Sequence, residues 1–460
     1  MRNGTKVDML SGPITKGLLR LTIPIMVMNV FQTLFNIVDM TVLKNFSDES
    51  AVGAVGACGT LITLCTSLLI GIAAGANVAV AKRIGAKDGE STEKAVHTAF
   101  ALALLGGFLL LIIGTTFAKT FLSWMNCPES LLPRATTYFK IYFYGVPILM
   151  LYNFCASILR AAGDTKRPMY FLLLAGVIKV CANLVFVRVF HFSVEGVALA
   201  TILSQGIALI LSIGAIRKNK DIPPVRMKSI RLSIPEMKEI LYIGLPAGMQ
   251  SALYSLANVV ITSVVNSYGA DATTGIAIAN NFDGILYQIS CAPSLATIPY
   301  VAQNMGAGNV ERVKKTLWSA IFITVLFGAT FGSLSAIFSG SLSSLMSSSP
   351  AVIAYSRQKM IIISSTYFIC GINEVMGGVL KGMAKPILPT VATLVYMCLF
   401  RFVWVYAIYP LCPNLTFLYT VWPVGWILSI LTLSVAYIIY MRHLEGKHFH
   451  FRIIHHHHIN

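Results

Sequence analysis

Twelve apolar runs, each near or above the ~20 residues that cross a bilayer, follow one another along nearly the whole chain. They lie at 16–44, 51–80, 93–118, 134–159, 168–189, 194–216, 238–266, 272–301, 314–339, 352–380, 386–409 and 418–441. Hydrocarbon offers no partner for a free N–H or C=O, so such runs must satisfy their backbones internally, as helices. Only 12% of the 460 residues are charged and 56% are hydrophobic, against about 25% charged in a soluble chain. No aqueous core takes up that much apolar surface. Several runs exceed one bilayer thickness, which predicts tilt or extension past the lipid. The first run carries Pro24, Asn29, Gln32, Asn36 and Asp39 and lacks a small-residue cleavage site, so it reads as a retained span rather than a signal peptide. The sequence predicts an all-α membrane protein of twelve transmembrane helices.

The basic residues fix its orientation. Arg2, Lys6, Lys16 and Arg20 precede or open the first span; Lys82, Arg83, Lys87 and Lys94 follow the second; Arg160, Lys166 and Arg167 follow the fourth. The same side collects the basic segment after Ile216, then Arg312, Lys314, Lys315, Lys381, Lys385, Arg442, Lys447 and Arg452, whereas loops 267–271, 340–350 and 410–418 carry no Lys or Arg. This asymmetry predicts a multi-pass protein of the cell (inner) membrane with both termini cytoplasmic. The net charge of +17 is therefore topological, and nucleic acid is not expected as a partner. Nine cysteines are scattered without CxxC spacing, so neither a disulfide framework nor a metal site is expected.

The second half repeats the first. At an offset of 222, then 221, Pro24 matches Pro246, Asn36 matches Asn258, Gly53 matches Gly275 and Ala57 matches Ala279. VAKRIGA at 80–86 matches VAQNMGA at 301–307, Leu159-Arg160 matches Leu380-Lys381, and Pro168 matches Pro389. The expected organisation is an N-terminal six-helix lobe at 1–216, a polar, basic, proline-bearing linker at 217–237, a C-terminal six-helix lobe at 238–445 and a tail at 446–460. Six is even, so both bundles enter the membrane from the same side, related by a pseudo-two-fold axis along the membrane normal with a central cleft. No GxxxxGK[ST] motif is present, which leaves an ion gradient, H+ or Na+, as the expected energy source and no cofactor. No intramembrane His, Ser or metal cluster suggests an enzyme.

Polar residues in lipid must face protein or water. In the first span Asn29, Gln32, Asn36 and Asp39 fall within roughly 80° of arc at about 100° per residue. In the seventh, Gln250, Tyr254, Asn258 and Thr262 recur every fourth position. Both stripes read as lining the substrate cleft, or as interhelical hydrogen-bonding glue. Asp39 is the sharpest candidate for ion coupling, because a carboxylate deep in a span costs about 2.5–3.5 kcal/mol and protonation removes that cost. Its alternative is a hydrated position at the outer boundary, near Lys44. Glu374 in the tenth span, beside Asn373 and near Tyr367, with Asn153 as its repeat partner, reads as a second cation site or the countercharge for a cationic substrate, or else as a member of an internal salt bridge, for example with Arg401, or a solvated position near the inner end. Lys179 and Arg401 read as snorkelling or structurally paired bases, and Asp283 as a weaker relative of Glu374. Pro24 and Pro246 kink equivalent spans, as gates or as static bends. Gly71 and Gly75 form a GxxxG suited to close packing. Trp124, Trp422 and Trp426 read as interface anchors.

TLFNIVDMTVL at 33–43, AVGAVG at 51–56, LRAAGDTKRPM at 159–169, GVALATILSQ at 196–205, QNMGAG at 303–308 and EVMGGVLKGMAKPILP at 374–389 together resemble the motifs of multidrug and toxic compound extrusion (MATE) transporters across nearly the whole chain. The resemblance implies a V-shaped twelve-helix exporter, expected to act as a monomer amid membrane lipids, that exchanges H+ or Na+ for organic, often cationic and amphipathic, drugs or metabolites. It carries the coupling role to Asp39, with Asn36 beside it. Two departures stand out. The fifth-span Asn-x-x-x-Asp pair of proton-coupled members is incomplete here, Asn183 being followed by Val187, and the seventh-span acid of sodium-coupled members falls nearest Tyr254. The alternative within the superfamily architecture is a flippase for lipid-linked saccharide precursors, which calls for a strongly basic cleft; Lys140, Lys179 and Arg401 are the bases at hand.

Overall fold

A backbone with no water to bond closes its hydrogen bonds within each segment, and the computed structural model of the chain is built accordingly. It describes residues 6–47, 49–124, 127–223 and 230–457, with the side chains from 446 onward outside the description. Part of the expected linker (224–229) and the side chains of the histidine-rich tail thus lie outside the described residues. Long helices come in the order α1 (Ile14–Phe46), α2 (Glu49–Gly85), α3 (Gly89–Trp124), α4 (Leu132–Ala161), α5 (Lys166–Leu184), α6 (Val194–Arg217), α7 (Ile234–Asn266), α8 (Ala270–Gly306) and α9 (Val310–Ile337). A short α10 (Ser339–Ser344) leads to α11 (Pro350–Gly382). The next span begins as α12 (Ile387–Ala392) and runs through wide π turns at Thr393–Leu399 and Trp404–Ile408 on either side of α13 (Phe400–Val403). α14 (Leu415–Tyr419) and α15 (Val421–His457) close the chain. Among the described residues eleven helical segments are long and apolar enough to cross a membrane, and α7, 33 residues long, occupies the seventh expected span. On α3 the stripe Leu105, Phe108, Leu109 and Ile112 is more than half exposed at each position, as a lipid-facing surface requires.

The chain divides into two compact units, Met1–Asp8 with Arg20–Ala252 and Met9–Leu19 with Leu253–Asn460. In the first unit α4 is central, packed on α2, α3 and α6, with α5 laid along α6. In the second, α11 takes the corresponding place against α8, α9 and α15.

α7 enters the first unit through a crossing of small residues. A Cβ added at Gly71 of α2 would lie 2.2 Å from the Gly248 nitrogen, and one at Gly75 would lie 2.2 Å from the Ile240 carbonyl oxygen. The GxxxG read from the sequence therefore meets a second one, Gly244-xxx-Gly248, that the sequence reading had passed over. In lipid, where no hydrophobic force drives helices together, such backbone approach supplies the packing energy. Gly248→Leu, whose Cβ would lie 2.6 Å from Leu68 Cα, is expected to cost about 1–3 kcal/mol or more through overpacking. The melting temperature in detergent should fall accordingly, while Gly59→Leu, with nothing within 4 Å, should leave it in place. Equal effects from both would remove the crossing as the cause.

The repeat is visible in the loops as well as in the helices. After α2 and α8 the chain turns through a left-handed residue, Lys87 (φ 56°) and Gly308 (φ 69°), closed by Asp88 N–H to Arg83 O and Asn309 N–H to Asn304 O. After α4 and α11 the same turn uses Gly163 (φ 82°) and Ala384 (φ 58°), closed by Asp164 N–H to Leu159 O and Lys385 N–H to Leu380 O. These are helix ends of the Schellman type. Asp88 then accepts the Ser91 amide at 3.0 Å, and that hydrogen bond holds its exposed carboxyl below the ordinary carboxylate range. The motif after α2 also grips the start of α7: Arg83 donates to Glu239 Oε2 at 2.8 Å and to Glu236 Oε1 at 3.3 Å. In the second unit the equivalent residue, Asn304, donates to the Met9 carbonyl at 3.0 Å, and Arg312 donates to the carbonyls of Met9, Ser11 and Gly12. The segment entering α1 is thus held as the segment entering α7 is.

Candidate functional site

In the first unit α1 and α5 come together because Phe35 lies over Gly176, where a Cβ would meet the ring at 1.9 Å. One turn beyond Phe35 comes Asp39, and one and two turns beyond Gly176 come Lys179 and Asn183, so that approach sets Asp39 against both. Asp39 Oδ2 lies 2.6 Å from Lys179 Nζ, and Asn183 Nδ2 donates to Asp39 Oδ1 at 2.6 Å. Asp39 is 7% exposed, Lys179 9% and Asn183 0%. The boundary alternative for Asp39 therefore fails: it is a buried, paired carboxylate. Lys179 is not snorkelling; its ammonium is the counter-ion. Directly beyond Asn183 the helix widens into a π turn at Val185–Val189, a distortion common at functional sites. Asn183 Oδ1 is buried without a hydrogen-bond partner.

The rest of the first polar stripe divides. Pro24 is buried, Asn29 half-buried, and Gln32 and Asn36 are exposed. Asn153 returns its amide to the Leu149 carbonyl of its own helix at 2.8 Å. Gln250 is buried within the first unit, and Pro246 is half-buried. The structure thus brings together Asp39 and Asn183 of the expected set and leaves Asn153 apart from them in bonding.

The second unit holds a different arrangement. Tyr254 Oη donates to Glu374 Oε1 at 3.2 Å, so Glu374 pairs with the seventh-span tyrosine. The pairing of Glu374 with Arg401 considered from the sequence is incorrect: Arg401 Nη1 donates instead to Asn258 Oδ1 at 2.7 Å. Arg401 sits in α13, and the π turns around it change which side chains share a face, a shift that a 3.6-residue period does not anticipate. Asp283 of α8 is paired with Lys359 of α11 at 2.9 Å, and Lys359 also donates to Asn280 Oδ1. Lys359 is 4% exposed and Arg401 2%, and both cations approach the Trp422 ring, at 5.7 and 5.2 Å from its centroid. Trp426 is no interface anchor: it is buried at 3% exposure with its ring 5.8 Å from that of Tyr367, itself buried. Trp422 is likewise drawn inward, whereas Trp124 is 74% exposed as read. Lys359 was missed in the sequence because it lies close to the start of its span; Asp283, an acid in a span needing a base, was the signal that could have led to it.

Among the described residues no group of three or more His, Cys, Asp or Glu could hold a metal ion. All nine cysteines are free.

Buried ion pairs inside repeated bundles of membrane-spanning helices are the build of a multi-pass membrane transporter. The MatE family model matches residues 24–185 and 246–407, once in each half, and the chain belongs to this family, the MATE transporters. It is similar to "Probable multidrug resistance protein YpnP" of Bacillus subtilis (strain 168), 29% identical over 406 residues that span 86% of this chain and 88% of the relative. "Probable multidrug resistance protein NorM" of Thermotoga maritima is 25% identical over 388 residues, 83% of each chain. A solved structure described as the outward-facing conformation of a multidrug resistance MATE family transporter of the MOP superfamily shares the fold, with a TM-score of 0.89 at 19% identity over 97% of this chain and 100% of that one.

Proposed function

We propose that this protein is a secondary-active exporter of amphipathic organic compounds, working by alternating access and driven by inward movement of H+. The observation that carries the reading is the Asp39 carboxylate, buried in a span and held by Lys179 and Asn183. A membrane carboxylate without a transport role is costly, and this one is neutralised by a cation the chain itself supplies. Protonation of Asp39 would dissolve the ion pair and free the Lys179 ammonium to move, which couples proton occupancy to helix contacts between α1 and α5. A sodium ion would have to displace that ammonium and find several oxygen ligands, of which Asp39 and the unpartnered Asn183 Oδ1 are two; H+ needs none. The names of the relatives support drug-like compounds as cargo. We place the protein in the cell (inner) membrane with cytoplasmic termini, as a monomer.

The flippase alternative needs bases free to meet a pyrophosphate. Lys179 is already neutralised by Asp39, and Arg401 of the second unit is a single base rather than the strongly basic cleft a pyrophosphate calls for, which favours the exporter. The test is uptake of a fluorescent dye into proteoliposomes under an imposed pH gradient, with an imposed Na+ gradient in parallel. Uptake is expected to follow the pH gradient alone. Flux indifferent to both gradients would sink antiport, and flux following Na+ alone would sink the proton reading.

A further inference from the structure

The two halves treat their buried base differently. The family match begins and ends 222 residues apart in the two halves, at 24 and 246 and at 185 and 407. The offset is 222 at Asn36 and Asn258, which sets Asp39 against Ile261; it falls to 221 at Pro168 and Pro389 and returns to 222 by the end of the match, the wide π turn at Thr393–Leu399 taking up one residue, so that Lys179 corresponds to Arg401. The first half therefore supplies its base with a carboxylate at 2.6 Å. The second places a buried isoleucine, 3% exposed, where that acid would stand. Arg401 has a neutral amide, Asn258 Oδ1 at 2.7 Å, and the Trp422 ring, and among the described residues it forms no ion pair. The neighbouring acids face other groups: Asp283 pairs with Lys359 at 2.9 Å, and Glu374 accepts from the Tyr254 hydroxyl. The cluster around Trp422 thus carries one positive charge more than it balances.

An unbalanced charge inside a span is expensive and marks a substrate or ion path. A guanidinium is always charged and offers a planar fork that matches a carboxylate or phosphate through two parallel N–H bonds. Access is through the amides. Asn258 and Asn280, the partners of Arg401 and Lys359, are both exposed, so each cation lies one neutral side chain behind a reachable surface. We propose that Arg401, with Asn258 and the Trp422 ring, is a subsite for the acidic group of an organic anion, a carboxylate, phosphate or sulfonate displacing the Asn258 amide from the guanidinium while its apolar body lies against the indole. The cargo of this transporter then includes anionic amphiphiles. The inference rests on the export reading for its meaning, and it is tested without transport.

The experiment is equilibrium binding, by fluorescence anisotropy, to the purified full-length protein in neutral detergent micelles. Carboxyfluorescein, an anionic xanthene, is compared with rhodamine 6G, a cationic one of similar size. The native protein is expected to bind carboxyfluorescein. Arg401→Gln should weaken carboxyfluorescein by about tenfold or more relative to rhodamine 6G, and Arg401→Lys should recover only part of that, having charge without the fork. Should Arg401→Gln fail to fold, Asn258→Asp provides the second variant. It supplies the missing counter-ion from within, so it is expected to fold with an undiminished melting temperature and to lose the same anion selectivity. Titration with phosphatidylglycerol separates two sources of the group: competition assigns the subsite to a lipid headgroup, and its absence to a soluble anion, the anion subsite standing in either case. The proposal is overturned if the native protein does not bind carboxyfluorescein. It is overturned equally if the selectivity between the dyes survives these substitutions. Since no gradient is imposed, a failure of proton-driven exchange leaves this result intact, and the reverse holds.

Discussion

Asp39→Asn is expected to bring proton-driven dye uptake down to the leak of protein-free vesicles, a loss of about tenfold or more. Asparagine keeps the size of the side chain and an oxygen for the Asn183 amide, whose bond to Asp39 Oδ1 is 2.6 Å. What it removes is the charge that Lys179 meets at 2.6 Å, and with it the group whose occupancy can change. The variant also leaves an ammonium buried beside a neutral amide, so part of any loss could be a loss of fold. Adding Lys179→Gln separates the two effects. The double variant has no orphaned charge, so it should regain melting temperature in detergent and still show no gradient-driven uptake. Proton-driven uptake at the native rate by Asp39→Asn would end the coupling role assigned to this residue.

The second large effect belongs to stability. Lys359→Met leaves the Asp283 carboxylate without its base in the second unit, where the two side chains are 4% and 10% exposed. Removing one member of a buried pair costs about 3–5 kcal/mol, because an uncompensated charge remains, whereas replacing both by neutral groups is often close to neutral. Asp283 is poorly placed to absorb the loss, since Lys359 meets its Oδ2 and its other oxygen, Oδ1, is buried without a hydrogen-bond partner. The single variant should therefore melt far below the native protein, and Asp283→Asn with Lys359→Met together should recover most of the difference. The coupling between the two changes measures the pair. Losses that simply add would show that Lys359 acts through its packing on Trp422 rather than through Asp283.

The chain announces its solvent plainly and its neighbours hardly at all. Span lengths, the basic asymmetry and the repeat are each carried within one segment or between two aligned ones, so the bundle of long helices was legible. Asp39 was legible for the same reason: a lone carboxylate in an apolar run is costly wherever that run packs. Which helix answers it was not, because the contact between α1 and α5 is set by Phe35 and Gly176, two residues unremarkable in sequence. The partner of Arg401 was not legible, because the helix widens around it at Thr393–Leu399 and Trp404–Ile408 and a regular period does not give the face it presents. Trp426 was assigned to the membrane surface because it lies near a span end, and the structure turns it toward Tyr367. Gly244 and Gly248 were overlooked since their meaning lies in Gly71 and Gly75 on another helix.

The left-handed turns that close α2, α4, α8 and α11 carry a lesson about how such a protein can diversify. At matched bends one half has glycine where the other has lysine or alanine, yet the closing hydrogen bonds are the same. The two halves share the course of the main chain while residue identities differ, even where a side chain is sterically unfavourable in the left-handed backbone. Turns that keep their course whatever the side chain at the bend leave each half free to carry its own residues there.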